Sequence, residues 1–126
     1  MIEIIDLHKS FGSNKVLQGI NLTINKGESL AIIGKSGSGK SVLLKNIVGL
    51  LEPDQGEVKI EGKNISSLSK KELYEVRKKF GFLFQGAALF DSMTVEENIS
   101  LPLVENNQAI TKEKIDSIVE DKLNLV

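Results

Sequence analysis

The sequence predicts an α/β fold: an antiparallel β-part first, then a strand, a glycine-rich loop and a helix. Three observations point there. Ile2-Glu-Ile-Ile-Asp-Leu7 and Gly19-Ile-Asn-Leu-Thr-Ile24 alternate apolar with polar residues, as half-exposed antiparallel strands do. Ser29-Leu-Ala-Ile-Ile33 is nearly all apolar, the pattern of a strand buried on both faces. Glycines 34, 37 and 39 follow, and residues 40–51 then carry apolar side chains at helical spacing.

The remaining elements follow in chain order. Glycine and asparagine within residues 10–14 and 25–27 mark turns on either side of the second strand. The helix over residues 40–51 has Val42, Leu43, Ile47, Leu50 and Leu51 on one stripe, and Pro53-Asp-Gln-Gly56 closes it. Glu57-Val-Lys-Ile-Glu61 and the short Lys63-Asn-Ile65 make a strand pair around Gly62. Ser69-Lys-Lys-Glu72 is a capping box, which predicts a helix over residues 70–79. Residues 80–84 are a second buried-strand candidate. Thr94-Val-Glu-Glu97 is another capping box, opening a helix that Pro102 should end. Polar residues 105–108 read as a loop, and a last helix from Thr111 puts Ile115, Ile118, Val119 and Leu123 on one face. That helix is expected to run to Val126 with no closing glycine, asparagine or proline. Its apolar stripe is expected to lack a partner, as in a domain cut short.

Composition narrows the function classes. The chain has 126 residues, 40% hydrophobic and 26% charged, which suits one packed domain or a piece of one. A net charge of −1 gives no support to nucleic-acid binding through a broad positive field. With no cysteine, disulfide frameworks and thiolate metal sites are excluded. The N-terminus places an acid where a signal peptide has its basic region, and the apolar runs fall far short of the ~20 residues that span a bilayer. A soluble, intracellular chain is expected. The single histidine, His8, is assigned no role, and Lys70, Lys71, Arg77, Lys78 and Lys79 read as the solvated face of a helix.

Gly34-Lys-Ser-Gly-Ser-Gly-Lys40-Ser41 matches the phosphate-loop pattern Gly-x4-Gly-Lys-Ser/Thr. Each residue type has a physical reason. Glycines let backbone N–H groups turn inward around phosphate oxygens where a Cβ would collide. The helix opening near Lys40 adds unpaired N–H groups and about half a positive charge. Lys40 can reach β- and γ-phosphates, and the Ser41 hydroxyl can ligate a bridging magnesium ion. Lys35, Ser36, Gly37, Ser38 and Gly39 supply the rest of the cradle. The bland alternative is a flexible glycine-serine turn, which the preceding apolar strand and following helix argue against.

Around this loop the chain resembles the nucleotide-binding domain of ATP-binding cassette (ABC) proteins. Leu7-His-Lys-Ser-Phe-Gly12, Val16-Leu-Gln-Gly-Ile-Asn-Leu22 and Gly27-Glu-Ser-Leu-Ala-Ile-Ile-Gly34 are similar to the start of that domain. Gly49-Leu-Leu-Glu-Pro-Asp-Gln-Gly-Glu57 and Gly81-Phe-Leu-Phe-Gln85 continue the likeness. The resemblance implies an α/β P-loop NTPase core of ABC type with an antiparallel β-subdomain, truncated within the helical subdomain. Residues 1–85 would be the β-subdomain and core, and residues 86–126 the start of the helical subdomain. It implies ATP and Mg2+ as cofactors. Phe11 would stack on adenine, or else cap the first β-turn as a core residue. Val16 would lie beside ribose or base, or be an ordinary strand residue. Gln85 would contact magnesium and the attacking water, or simply end a strand. Lys40 and Gln85 are the catalytic residues implied.

Phe90-Asp-Ser-Met-Thr-Val95, Gly39-Lys-Ser-Val-Leu-Leu44 and Glu72-Leu-Tyr-Glu-Val-Arg77 are similar to the ATPase subunits of Mla/Mce lipid-transport systems. Amino-acid and metal importers share much of this region, though many have a proline where Asp91-Ser92 stands. The family's Leu-Ser-Gly-Gly-Gln signature, its Walker B strand and its switch histidine match no stretch of this sequence. The resemblance implies partners in a transmembrane permease and a second ATP-binding subunit, with no nucleic acid and no insertion into the membrane. The expected location is cytoplasmic, at the inner face of the membrane through the permease. A truncated, non-catalytic nucleotide-binding module is the alternative.

Overall fold

The alternation at the N-terminus builds one long hairpin. In the computed structural model, which describes residues 1–106 and 109–126, β1 (Ile2–Phe11) pairs antiparallel with β2 (Asn14–Ile24). Both strands outrun the expected ones, because the turn between them shrinks to Gly12 and Ser13. Gly12 has φ 60 at the turn position where a type II′ hairpin takes glycine. Residues 7–11 do not read as strand in sequence because a bulge breaks their period. The register shifts between Ile4 and Leu7, with Asp6 at φ 46.

β3 (Gln55–Ile60) pairs with the other edge of β1, and β4 (Lys63–Asn64) with β3. The sheet order is β2-β1-β3-β4. Glu61 and Gly62, both at positive φ, form the tight turn between β3 and β4. At Gly56 an added Cβ would stand 2.2 Å from the Asp6 carbonyl oxygen, so the bulge of β1 admits only glycine there.

One face of this sheet carries Ile4, Leu7, Leu17, Val58 and Ile60, which cluster with Leu43 and Ile47 of α1 (Lys40–Ile47) and with Ile65. Each such side chain contributes about 1.5–3 kcal/mol on burial. Helix α1 is shorter than its stripe suggests. Leu50 N–H donates to the Lys45 carbonyl at 2.8 Å and Gly49 N–H to that of Asn46 at 3.0 Å, with Gly49 at φ 70. That is a Schellman ending. Leu50 and Leu51 therefore fall outside the helix, and Leu50 is exposed. A 3-10 turn at Ile65–Ser67 leads to α2 (Lys70–Arg77), opened by the expected capping box. Arg77 is not part of a solvated face: its guanidinium donates to the carbonyls of Val48 and Gly49 just beyond α1. A cation at a helix C-terminus satisfies carbonyls that have no intrahelical partner.

The two buried strands are not formed. No residue of runs 29–33 or 80–84 enters a ladder among the described residues, and Ile33 and Leu83 are 93% and 85% exposed. An apolar run specifies burial, but its hydrogen bonds need neighbouring strands that local sequence does not supply. Ile32 and Phe80 do pack partly against the core.

The chain divides into two compact units, Met1–Gly81, described so far, and Phe82–Val126. In the second, α3 (Val95–Asn106) continues through Pro102, which was expected to end it. The proline removes one donor, and the Asn106 side-chain amide donates to the Pro102 carbonyl at 2.6 Å. The Thr94 box is present, with Thr94 N–H on Glu97 Oε2 at 2.7 Å and Glu97 N–H on Thr94 Oγ1 at 3.2 Å. Of the expected loop over residues 105–108, Glu105 and Asn106 close α3, while Asn107 and Gln108 lie outside the described residues. Helix α4 (Lys112–Leu123) stops before Val126, with Asn124 as its C-cap. Its stripe is partnered in part: α4 packs on α3 and Val119 is buried, while Leu123 is exposed. The expectation of a bare stripe is corrected by that neighbouring helix, a contact no single-helix pattern contains.

Candidate functional site

Within the first unit, residues 34–39 form an irregular loop that enters α1 directly. Gly37 and Gly39 have φ 76 and 78, left-handed values that cost an L-residue about 1–2 kcal/mol. Gly39 is constrained a second way: its Cβ would stand 2.5 Å from Val16 Cγ1 and 3.1 Å from the Val16 carbonyl oxygen. Val16 of β2 is thus a wall against which the loop is set. At Gly37 a Cβ would meet nothing within 4 Å, so that side of the loop is open. The Ser38 N–H donates to the Lys35 carbonyl at 3.2 Å, closing the turn around Ser36 and Gly37.

Lys40 lies back across the loop. Its Nζ donates to the carbonyls of Gly34 at 3.0 Å and Lys35 at 3.2 Å, and no carboxylate among the described residues pairs with it. No acidic residue stands in the first turn of α1, and Ser41 is exposed there. An ammonium and a helix N-terminus therefore face the same loop without a compensating negative charge. Such a place attracts an anion of phosphate geometry. No group of three or more His, Asp or Glu side chains able to hold a metal occurs among the described residues. A hydroxyl such as that of Ser41 suits magnesium that takes its remaining ligands from phosphate and water.

Phe11 ends β1, 48% exposed and opposite Asn14, in the same unit as the loop. Gln85 belongs to the second unit. It does not end a strand, as expected, but opens an exposed turn in which Gly86, Ala87 and Ala88 all have positive φ. Residues that sequence reasoning passed over also contribute. Lys9 and Asp54 pair at 2.7 Å beside Phe11. Asn98 ties the loop before α3 to the helix, accepting from Phe90 N–H at 2.8 Å and donating to the carbonyls of Phe90, Met93 and Thr94. The Pro-Asp turn before β3 hinted at the first; nothing local announced the second.

Comparison with known proteins agrees with this geometry. The ABC transporter family pattern matches residues 17–125. The chain is 47% identical over 125 residues to "Probable ribonucleotide transport ATP-binding protein mkl" of Mycobacterium tuberculosis, covering 99% of this chain and 34% of the relative. It is 46% identical over 126 residues to "Methionine import ATP-binding protein MetN" of Legionella pneumophila, covering 100% of this chain and 36% of the relative. Among solved structures, the ATP-binding cassette MJ0796 in a post-hydrolysis dimer bound to ADP and Pi superposes with a TM-score of 0.87 at 34% identity. That match covers 98% of this chain and 56% of the other. The chain thus spans about a third of the length of the curated relatives it matches. No helix among the described residues is long and apolar enough to cross a membrane. Loop, fold and likeness run together over nearly every residue, and the chain belongs to the ABC transporter family, with the fold of its ATP-binding cassette.

Proposed function

We propose that the chain binds Mg2+-ATP through residues 34–41 and is the nucleotide-binding part of an ABC transporter's energy-coupling subunit. The observation that carries this reading is the Lys40 ammonium, held across the glycine loop by two carbonyls and facing no carboxylate among the described residues. Phosphate oxygens are the better partners for that cation. Phe11 is the adenine platform, Val16 borders the nucleotide, and Ser41 would hold magnesium, which supplies charge neutralisation on the phosphates. Gln85 keeps the role toward magnesium and the attacking water that the family resemblance implies for it. Residues 1–85 make up the nucleotide-binding part and residues 86–126 the start of a helical subdomain.

In the whole protein two such subunits would sandwich ATP and work beneath a membrane permease at the cytoplasmic face. Hydrolysis there would rest on positioning and electrostatic stabilisation. The residues matched here hold phosphates and magnesium, and Gln85 would contact the attacking water; none is matched to the general base that takes its proton. The 126 residues alone should therefore bind nucleotide without appreciable turnover.

For the cargo we propose a lipid, on the likeness of residues 90–95, 39–44 and 72–77 to lipid-transport ATPases. A small-solute cargo is the second reading, favoured by the relatives named for methionine import. Transport by the full-length protein in vesicles, with labelled phospholipid against methionine, separates the two.

Titration calorimetry tests the nucleotide reading. Lys40→Ala should lose Mg2+-ATP binding while its circular dichroism stays that of the parent. Unchanged affinity in a folded Lys40→Ala protein would overturn the assignment. Turnover of ATP at ordinary enzyme rates by the parent chain, lost in Lys40→Ala, would show a catalytic base among residues read as structural.

A further inference from the structure

Lys9 lies over the Phe11 ring and is held there by a side chain from far along the chain, Asp54. Lys9, on β1, has a side chain only 16% exposed although it ends in an ammonium. Its Nζ lies 2.7 Å from Asp54 Oδ1 and 5.7 Å from the centroid of the Phe11 ring. Asp54 Oδ2 accepts from the Ser10 N–H at 2.6 Å, and the Asp54 N–H donates to the His8 carbonyl at 2.9 Å. One aspartate therefore bonds to three successive residues at the end of β1. Asp54 itself stands on the short connection between α1 and β3, so the same chain that leaves the phosphate-loop helix is pinned to the strand that carries Phe11.

We propose that Asp54 and Lys9 are positioning residues for the nucleotide base. Asp54 sets the end of β1 relative to α1, and Lys9 holds the Phe11 ring at a fixed height above that connection. The inference rests on the reading of Phe11 as the adenine platform. A ring and a phosphate cradle grip one nucleotide only if their spacing suits it. Hairpin ends fray, and an exposed aromatic left free must be ordered when the base arrives. A mostly buried ammonium is tolerable here because Asp54 pairs with it, and it lies over one face of the ring, leaving the other for a base. The bonds from Lys9 and Ser10 also hold the Asp54 carboxyl below the usual aspartate range, as a carboxylate kept ionised by this clamp should be.

The test compares two probes on the chain by calorimetry: Mg2+-ATP, which has a base, and Mg2+-tripolyphosphate, which has none. Asp54→Asn and Lys9→Met should each weaken ATP about three- to tenfold. Tripolyphosphate should stay within about twofold. Lys9→Arg should bind ATP much as the parent does. In a Phe11→Ala background neither substitution should weaken ATP further. Equal losses for both probes would overturn the proposal, since a general loosening of the fold would do that. So would parental ATP affinity in both Asp54→Asn and Lys9→Met while Phe11→Ala alone weakens it; that outcome spares the adenine platform. If Phe11→Ala itself binds ATP like the parent, the platform reading falls and the clamp's role with it. Lys9→Met keeps the test open should Asp54→Asn fail to fold.

Discussion

At Gly39 two demands meet at one residue. Its φ of 78 disfavours any Cβ, and Val16 Cγ1 fills the space a Cβ would need. Gly39→Ala should lower stability by about 1–2 kcal/mol from the backbone alone, with the clash in addition. It should also displace the start of α1 and weaken Mg2+-ATP. Adding Val16→Ala should return the steric share owed to Cγ1 and leave the backbone share with the tight approach to the Val16 carbonyl, which urea melts of the single and double variants would resolve. Equal stability of the single and double variants would mean the loop yields without leaning on β2. The glycine itself was legible in the sequence as part of the phosphate-loop pattern. Its contact with Val16 was not, because residues 23 positions apart meet only once the hairpin and α1 have packed.

Among the elements, helix ends are the best-specified parts. The box of Ser69 and Glu72 closes as read: Ser69 N–H donates to Glu72 Oε2 at 2.9 Å and the Ser69 hydroxyl lies 2.6 Å from the same oxygen. These bonds, the hydroxyl's first, hold the Glu72 carboxyl below the usual glutamate range. A carboxyl lowered in the folded state stabilises it above the ordinary range, and that contribution is lost as pH falls through the lowered value. Ser69→Ala should therefore cost about 0.5–2 kcal/mol at neutral pH. The penalty should shrink in acid, as the pH falls through the lowered Glu72 value. Melting curves at neutral and acid pH check this; a penalty independent of pH would mean the glutamate takes no part. Helix lengths were less legible. Gly49 ends α1 from within its apolar stripe, and α3 passes Pro102. In each case backbone hydrogen bonding overrode the side-chain pattern.

For the whole molecule, the exposed apolar side chains matter most. Leu30 and Ile33 in the first unit, and Leu83, Leu89, Phe90 and Val95 in the second, are all exposed. Surfaces of this kind promote association. The 126-residue chain should sediment as a concentration-dependent mixture, with a melting temperature that moves with concentration. A monomer melting at one temperature over a hundredfold range of concentration, about 1 to 100 μM, would count against it.

What the sequence alone determined is whatever depends on neighbours along the chain. The antiparallel alternation, the two capping boxes, the glycine loop opening α1 and the turn at Gly62 are all local, and all formed. What the tertiary structure decided depends on partners far along the chain. It left residues 29–33 and 80–84 without ladders, turned Arg77 inward to the end of α1, and paired Asp54 with Lys9 across 45 positions. A period in the sequence reports which face a segment would bury. Hydrogen bonds between strands and ion pairs between elements need a second surface, and only folding brings that surface into place.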